Sequence, residues 1–197
     1  MSNAVAWNEL TWLNAPLASE VSGGALRVKT RNATDFWQST FYGFRRKDGH
    51  FLFQDVSGDF TASVRLTGKY ETLYDQAGLM IRIDDAHWVK TGIEYTDGEC
   101  YLSVVVTNNG FSDWSVLPYR HEEQEATIRL TRHGEAIRVQ YEDPKSSKWT
   151  MARLGYLLPK DKVQIGIMCC SPEREGFEVT FRDFSVGPAI PRTLHEV

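Results

Sequence analysis

The stretch Trp88-Val89-Lys90-Thr91-Gly92-Ile93-Glu94-Tyr95 decides how the chain reads. Successive side chains of a strand point to opposite faces, so Val89, Thr91, Ile93 and Tyr95 form one face and Trp88, Lys90, Gly92 and Glu94 the other. The first set is a core face. The second combines a Trp, a Lys and a Glu on what reads as a central strand, which is unusual for a plain solvated surface. Upstream, Leu79, Ile81 and Ile83 alternate with Met80 and Arg82, and Asp84-Asp85 supplies a turn, so the two runs read as a hairpin. Downstream, Asp97-Gly98, a favoured hairpin dipeptide, leads into Tyr101 to Thr107, which Asn108-Asn109-Gly110 closes.

The same period of two recurs along the chain. Leu26, Val28 and Thr30 alternate with Arg27 and Lys29; Phe60, Ala62, Val64 and Leu66 alternate with Thr61, Ser63 and Arg65. Ile128 and Leu130 pair with Ile137, Val139 and Tyr141 across His133-Gly134, and Val163 to Cys169 is a further apolar run. The last strand, Phe177 to Val186, shifts register near Asp183, as a bulge would make it do. The segment nearest to a helix, His121 to Ala126, is short and very polar. About a dozen strands without a βαβ rhythm predict an all-β fold, a two-sheet antiparallel sandwich of jelly-roll type with little or no helix. The 197 residues read as one domain with a core over about 10–187 and a C-terminal tail, 188–197, loose or draped on the surface.

Composition narrows the function classes. Twenty-six acidic residues against 22 basic ones give a net charge of −4 spread along the chain, with no concentrated positive field for nucleic acid or anionic lipid. No segment approaches the roughly 20 apolar residues of a membrane span, and Met1 to Asn14 lacks the pattern of a signal peptide. No nucleic-acid or membrane partner is expected, and the cytoplasm is the expected compartment. Cys169 and Cys170 are neighbours that would point to opposite faces, so the three cysteines, with Cys100, are expected to be reduced packing residues. The histidines His50, His87, His121, His133 and His195 show no metal-ligand spacing. Asp84-Asp85 and the Asp55/Asp59 pair read as turn formers, so no metal, Ca²⁺ included, and no cofactor is expected.

Strand parity extends the polar face across neighbours: Gln76, Met80 and Arg82 on one side of the Trp88 strand, Tyr101, Ser103, Val105 and Thr107 on the other. A curved sheet with such a face forms a trough of the kind that holds a small molecule. Sugars suit it, because Arg, Lys, Gln and Glu bond hydroxyls while sugar C–H faces lie on rings such as Trp37, Trp88 and Trp114. The candidate binding set is therefore Trp37, Gln76, Arg82, Trp88, Lys90, Glu94, Ser103 and Trp114. The bland alternative is a Trp packed beneath a loop and cross-strand ion pairs that only support the sheet. No catalytic residue is assigned. Glu94 would be the acid or base of a glycoside-active enzyme, but no second carboxylate stands at i±2 or i±4 on its strand. Asp75, Asp84 and Asp113 are the loop carboxylates that could approach. Phe41, Tyr42, Phe44 and Phe51 read either as a docking patch for a metabolic enzyme or as core, since Phe41 to Phe53 also scans as a hairpin around Asp48-Gly49.

Four segments taken together, Asp35-Phe36-Trp37, Tyr74-Asp75-Gln76-Ala77-Gly78-Leu79-Met80, Trp88 to Tyr95 and Ser112-Asp113-Trp114-Ser115, resemble a widespread microbial and fungal family of unknown function, the one that includes the regulation-of-enolase protein. The resemblance runs from about Leu10 to Val186. It implies a concanavalin A-like lectin/glucanase sandwich and a binding or regulatory role tied to sugar metabolism, and it brings no catalytic residues with it. The Glu-x-Asp-x-x-Glu strand motif of the glucanases in that wider superfamily is absent here.

Overall fold

A computed structural model describes residues 3–119 and 125–194. Two large sheets, antiparallel throughout, face each other. Sheet I runs, in spatial order, β15 (Trp149–Tyr156), β14 (Ala136–Glu142), β13 (Glu125–His133), β8 (Phe60–Gly68), β17 (Glu178–Pro188), β4 (Ala25–Lys29) and β3 (Ala18–Ser22), with β1 (Asn3–Ala4) added along β17. Sheet II runs β12 (Phe111–Pro118), β11 (Glu99–Asn108), β10 (His87–Thr96), β9 (Gln76–Asp84), β16 (Lys162–Cys170), β7 (His50–Ser57) and β2 (Thr11–Leu13). A separate two-stranded flap, β5 (Phe36–Gln38) and β6 (Arg45–Lys47), lies outside both. One 3-10 turn, Trp7–Glu9, is the only helical element among the described residues. The expected two-sheet sandwich with little helix is the observed fold.

Between the sheets, Leu66, Ile128, Leu130 and Phe181 of sheet I meet Leu79, Ile81, Ile93, Leu102, Ile165 and Ile167 of sheet II. Burying each such side chain contributes about 1.5–3 kcal/mol. Strand β8 shows the simple case, with every second residue buried. In β9, β10 and β11 the alternation disappears and most positions are buried on both faces, because part of the outer face of sheet II is itself covered. A second core of Phe36, Phe51, Met80, Trp88, Val105, Met168 and Cys170 fills the space under the flap. Cys169 belongs to the first core and Cys170 to the second, and both are free thiols, as is Cys100.

The turns follow their sequence signals. Asp97 and Gly98 at φ 53° and 80°, and Asn109 and Gly110 at φ 53° and 74°, close two hairpins with the left-handed pairs that match strand twist. The bulge near Asp183 is present, with register shifting between Arg182 and Ser185. Two expectations need correction. More strands are present than the dozen expected, because β1, β2, β5 and β6 have only two or three residues and β3 is exposed throughout, so none carries an alternating signal. The hairpin around Asp48-Gly49 does not form: β6 pairs with β5, whereas β7 pairs with β2 and β16. Gly49 is where the chain leaves the flap and enters sheet II. Residues 120–124, including His121 and most of the near-helical stretch, lie outside the described residues, as does His195; Glu125 and Ala126 begin β13. Of the tail expected from residue 188, Pro188 still belongs to β17, and Arg138 Nη1 donates to the Thr193 carbonyl at 2.6 Å.

Gly78 of β9 and Gly92 of β10 are paired. A Cβ at Gly92 would run into the Ala77 carbonyl, and one at Gly78 into that of Thr91. The clash is with backbone, which cannot swing aside. Gly92→Ala is therefore expected to destabilise by about 1–3 kcal/mol, read as a lower denaturant midpoint; an unchanged midpoint would mean that this close approach is not required.

Candidate functional site

Register places the expected polar face as parity requires: Glu94 is opposite Gln76 and Tyr101, Gly92 opposite Gly78 and Ser103, Lys90 opposite Met80 and Val105, and Trp88 opposite Arg82 and Thr107. The flap crosses over this face, leaving a cavity of about 200 Å³ between flap, sheet and the turn that ends at Asp75. Trp37, Gln76, Lys90, Glu94 and Trp114 line it, together with Asp35, Tyr42, Phe44, Arg46, Tyr74, Val105, Pro172 and Glu173.

Three of the eight candidates do not line the cavity. Trp88, 1% exposed, packs under the flap against Phe36 at 6.2 Å and gives its indole N–H to the Asp85 carbonyl. It is a core residue, which corrects its expected role as a sugar platform. Arg82 lies at the far end of β9, donating to Gln164 Oε1 at 2.7 Å and Asp85 Oδ1 at 2.6 Å. Ser103 is buried behind Trp114 and accepts from its indole at 3.0 Å. None of the three loop carboxylates considered from sequence approaches Glu94. Asp75 is held by Arg174, Asp84 bonds His87, and Asp113 pairs with Arg153. The carboxylates that share the cavity with Glu94 are Asp35 and Glu173.

Lys90, 3% exposed, uses all three ammonium donors: to Asp35 Oδ1 at 3.1 Å, the Phe36 carbonyl at 2.7 Å and Gln76 Oε1 at 2.6 Å. Burial works against the charged form, and the nearby acidic groups, Asp35 first, more than offset it, so the ammonium titrates above its usual range. Gln38 N–H adds a second tie, donating to Ser112 Oγ at 2.9 Å. Lys47 of β6 adds a further tie, donating to Asp85 Oδ2 at 3.0 Å.

Glu94 is 5% exposed and accepts from Trp114 Nε1 at 3.2 Å. Among the described residues no cation stands within 4 Å of its carboxylate, despite Lys90 four positions away on the same face. Burial pushes the Glu94 carboxyl above its ordinary range; Lys90, Ser103 and Trp114 pull the other way without cancelling it, and Asp35 adds to the rise. Tyr74 gives or takes a hydrogen bond with Tyr42 at 3.1 Å, which with burial pushes its phenol up to about 12. The rings form two groups, Tyr42 with Trp37 and Phe44 on the flap, and Tyr74 with Trp114 on the sheet side.

An acid with a raised folded-state pKa is neutral in both states well below 4.5, and its penalty grows as pH rises from 4.5 to the folded value and is constant above that. Glu94→Gln keeps an acceptor for Trp114. It is expected to raise the melting temperature at pH 8 and to change it little at pH 4; an equal or lower melting temperature at pH 8 would mean that the ionised carboxylate stabilises the fold.

Sheet I carries a larger, shallower depression of about 540 Å³. Its Lys29 and Lys69 are already paired with Glu178. Among the described residues no cluster of three or more His, Cys, Asp or Glu side chains is arranged to hold a metal ion, and no helix is long and apolar enough to cross a membrane.

Sequence reasoning missed Asp35, Tyr74, Arg46 and Glu173, which come from loops and the flap rather than from the parity of the sheet. Asp35 and Tyr74 do lie inside the segments that carried the family resemblance. Those segments meet in space around this cavity, and over residues 12–189 the sequence matches the family described as "Protein of unknown function (DUF1349)". The chain belongs to this family. It is 43% identical over 187 residues to Regulation of enolase protein 1 of Saccharomyces cerevisiae, covering 95% of this chain and 93% of that protein. A crystal structure of a functionally unknown protein from Saccharomyces cerevisiae superposes with a TM-score of 0.89 at 42% identity, over 95% of this chain and all of that one. A xylan β-1,4-xylosidase from Bacillus halodurans matches 86% of this chain with 37% of its own, at 13% identity and a TM-score of 0.65. At that identity the likeness shows a shared fold.

Proposed function

We propose that this DUF1349 protein is a regulatory protein that binds a sugar or another small polar metabolite in the cavity beneath its flap. The single observation that carries the reading is the cavity itself. Aromatic rings from flap and sheet enclose buried polar groups, Lys90, Gln76 and Glu94, that are positioned by hydrogen bonds before any ligand arrives. The similarity to Regulation of enolase protein 1 supports a regulatory role and makes enolase the metabolic enzyme to test as partner. The exposed flap tip, with Phe41 94% exposed beside Tyr42 and Phe44, supports this surface as the place where a bound ligand is felt by a partner. Glycoside cleavage by Glu94 is supported less, because of the two carboxylates that share its cavity Asp35 is committed to Lys90 and Glu173 is exposed at the surface.

The test is a thermal-shift screen with sugars, sugar phosphates and small polar metabolites, repeated with Trp114→Ala. A ligand at 100 times its Kd stabilises by about 2.7 kcal/mol, or several degrees at this size. That shift should vanish in the variant. No shift with any compound would sink the ligand-binding reading, and no effect of the protein on purified enolase would remove enolase as its partner.

A further inference from the structure

The small-ligand reading leaves open which chemistry the cavity selects, and the local charge narrows it. Of the two cations on its wall, Lys90 is paired with Asp35 at 3.1 Å and Arg46 with Asp48 at 3.3 Å. Glu94 and Glu173 have no cation within 4 Å among the described residues, so the wall carries uncompensated negative charge. Glu173 is exposed and screened by water, whereas Glu94 is nearly fully buried with Trp114 as its bonded neighbour. A buried carboxylate without a counter-ion is costly unless something neutralises it.

Most of the rest of the wall is aromatic, completed by Gln76, Val105 and Pro172. Trp37, Tyr42 and Phe44 approach from the flap and Tyr74 and Trp114 from the sheet side, with Tyr42 edge-on to Trp37 at 5.7 Å and Tyr74 edge-on to Trp114 at 6.4 Å. Five rings around one space offer π-electron density that attracts a cation. Resting on the small-ligand reading, we infer that the cavity selects a small organic cation, an ammonium group seated among these rings and neutralised by Glu94. A cavity of about 200 Å³ leaves room for a small organic cation.

Isothermal titration with two matched pairs tests this: choline against its uncharged isostere 3,3-dimethyl-1-butanol, and glucosamine against glucose. At least one cation should bind about 10- to 100-fold more tightly than its neutral partner, the range expected for a charge-assisted contact. Preference for choline or for glucosamine tells a quaternary ammonium from an amino sugar as the source of the charge. In Glu94→Gln, whose fold is checked by its melting temperature, the preference for charge should collapse. If neutral members bind as tightly as charged ones, the cation inference is overturned while the small-ligand reading stands. If none of the four compounds and no member of the sugar and metabolite screen binds, both fall.

Discussion

Asp75→Ala is expected to lower the melting temperature by roughly 6–20 °C, taking a loss of about 3–5 kcal/mol for breaking a buried charge pair and about 2–4 °C per kcal/mol at this chain length. The Asp75 carboxylate is 0% exposed and takes five donors: Ser171 Oγ at 2.7 Å, Arg174 Nη2 at 2.6 Å and Nε at 3.0 Å, and the backbone N–H groups of Thr72 at 3.0 Å and Glu71 at 3.2 Å. Arg174 is partly exposed and keeps Glu71 and the Lys69 carbonyl as partners, so it can rehydrate when Asp75 is removed. That places the loss toward the lower end of the range. Because the two residues act as one unit, Asp75→Ala with Arg174→Ala should lose little more than Asp75→Ala alone. Tyr74 sits in the left-handed region at φ 65° immediately before Asp75, and Gln76 immediately after it, so loosening this turn should also weaken ligand binding. Thermal melts of the two variants decide the matter: a loss below about 1 kcal/mol would mean that the carboxylate does not hold the turn.

The sheets were legible in the sequence because each has one face whose chemistry differs from the other. Phe60 to Gly68 alternates in burial residue by residue, and Trp88 to Tyr95 has the register that its parity demands. What parity cannot supply is what covers a face. Trp88 and Glu94 project from the same side of β10, but the flap seals Trp88 under Phe36 while Glu94 borders an opening. Two three-residue strands make that difference, and neither carries a periodic signal. Asp35 escaped for a related reason. It lies 55 positions from its partner Lys90, and only the tertiary fold brings the two together. The cavity lies on the face that parity assigned to the polar set, and of the three tryptophans expected there Trp37 and Trp114 line it while Trp88 is sealed beneath the flap.

Lys90→Met should separate the two roles of the flap, covering the second core and closing the cavity. Met approximates the stem of Lys and fills the same apolar channel, so the substitution removes the ammonium and little else. It would leave the Phe36 carbonyl and Gln76 Oε1 without their donor and the Asp35 carboxylate, largely buried, without its cation. Breaking one side of a buried pair costs about 3–5 kcal/mol, and the loss here should fall on the flap first, since Lys90 ties it to the sheet. Below pH 10.5 the raised ammonium contributes its full stabilisation, which fades as pH rises through the folded-state value. The native protein should therefore lose stability in strong alkali by a component that Lys90→Met lacks. Hydrogen exchange at neutral pH is the sharper measurement: the Phe36–Gln38 amides should lose protection in Lys90→Met while those of the Leu79–Ile81 segment keep theirs. If both segments lose protection together, the flap is an integral part of the sandwich and no separately hinged cover for the cavity exists.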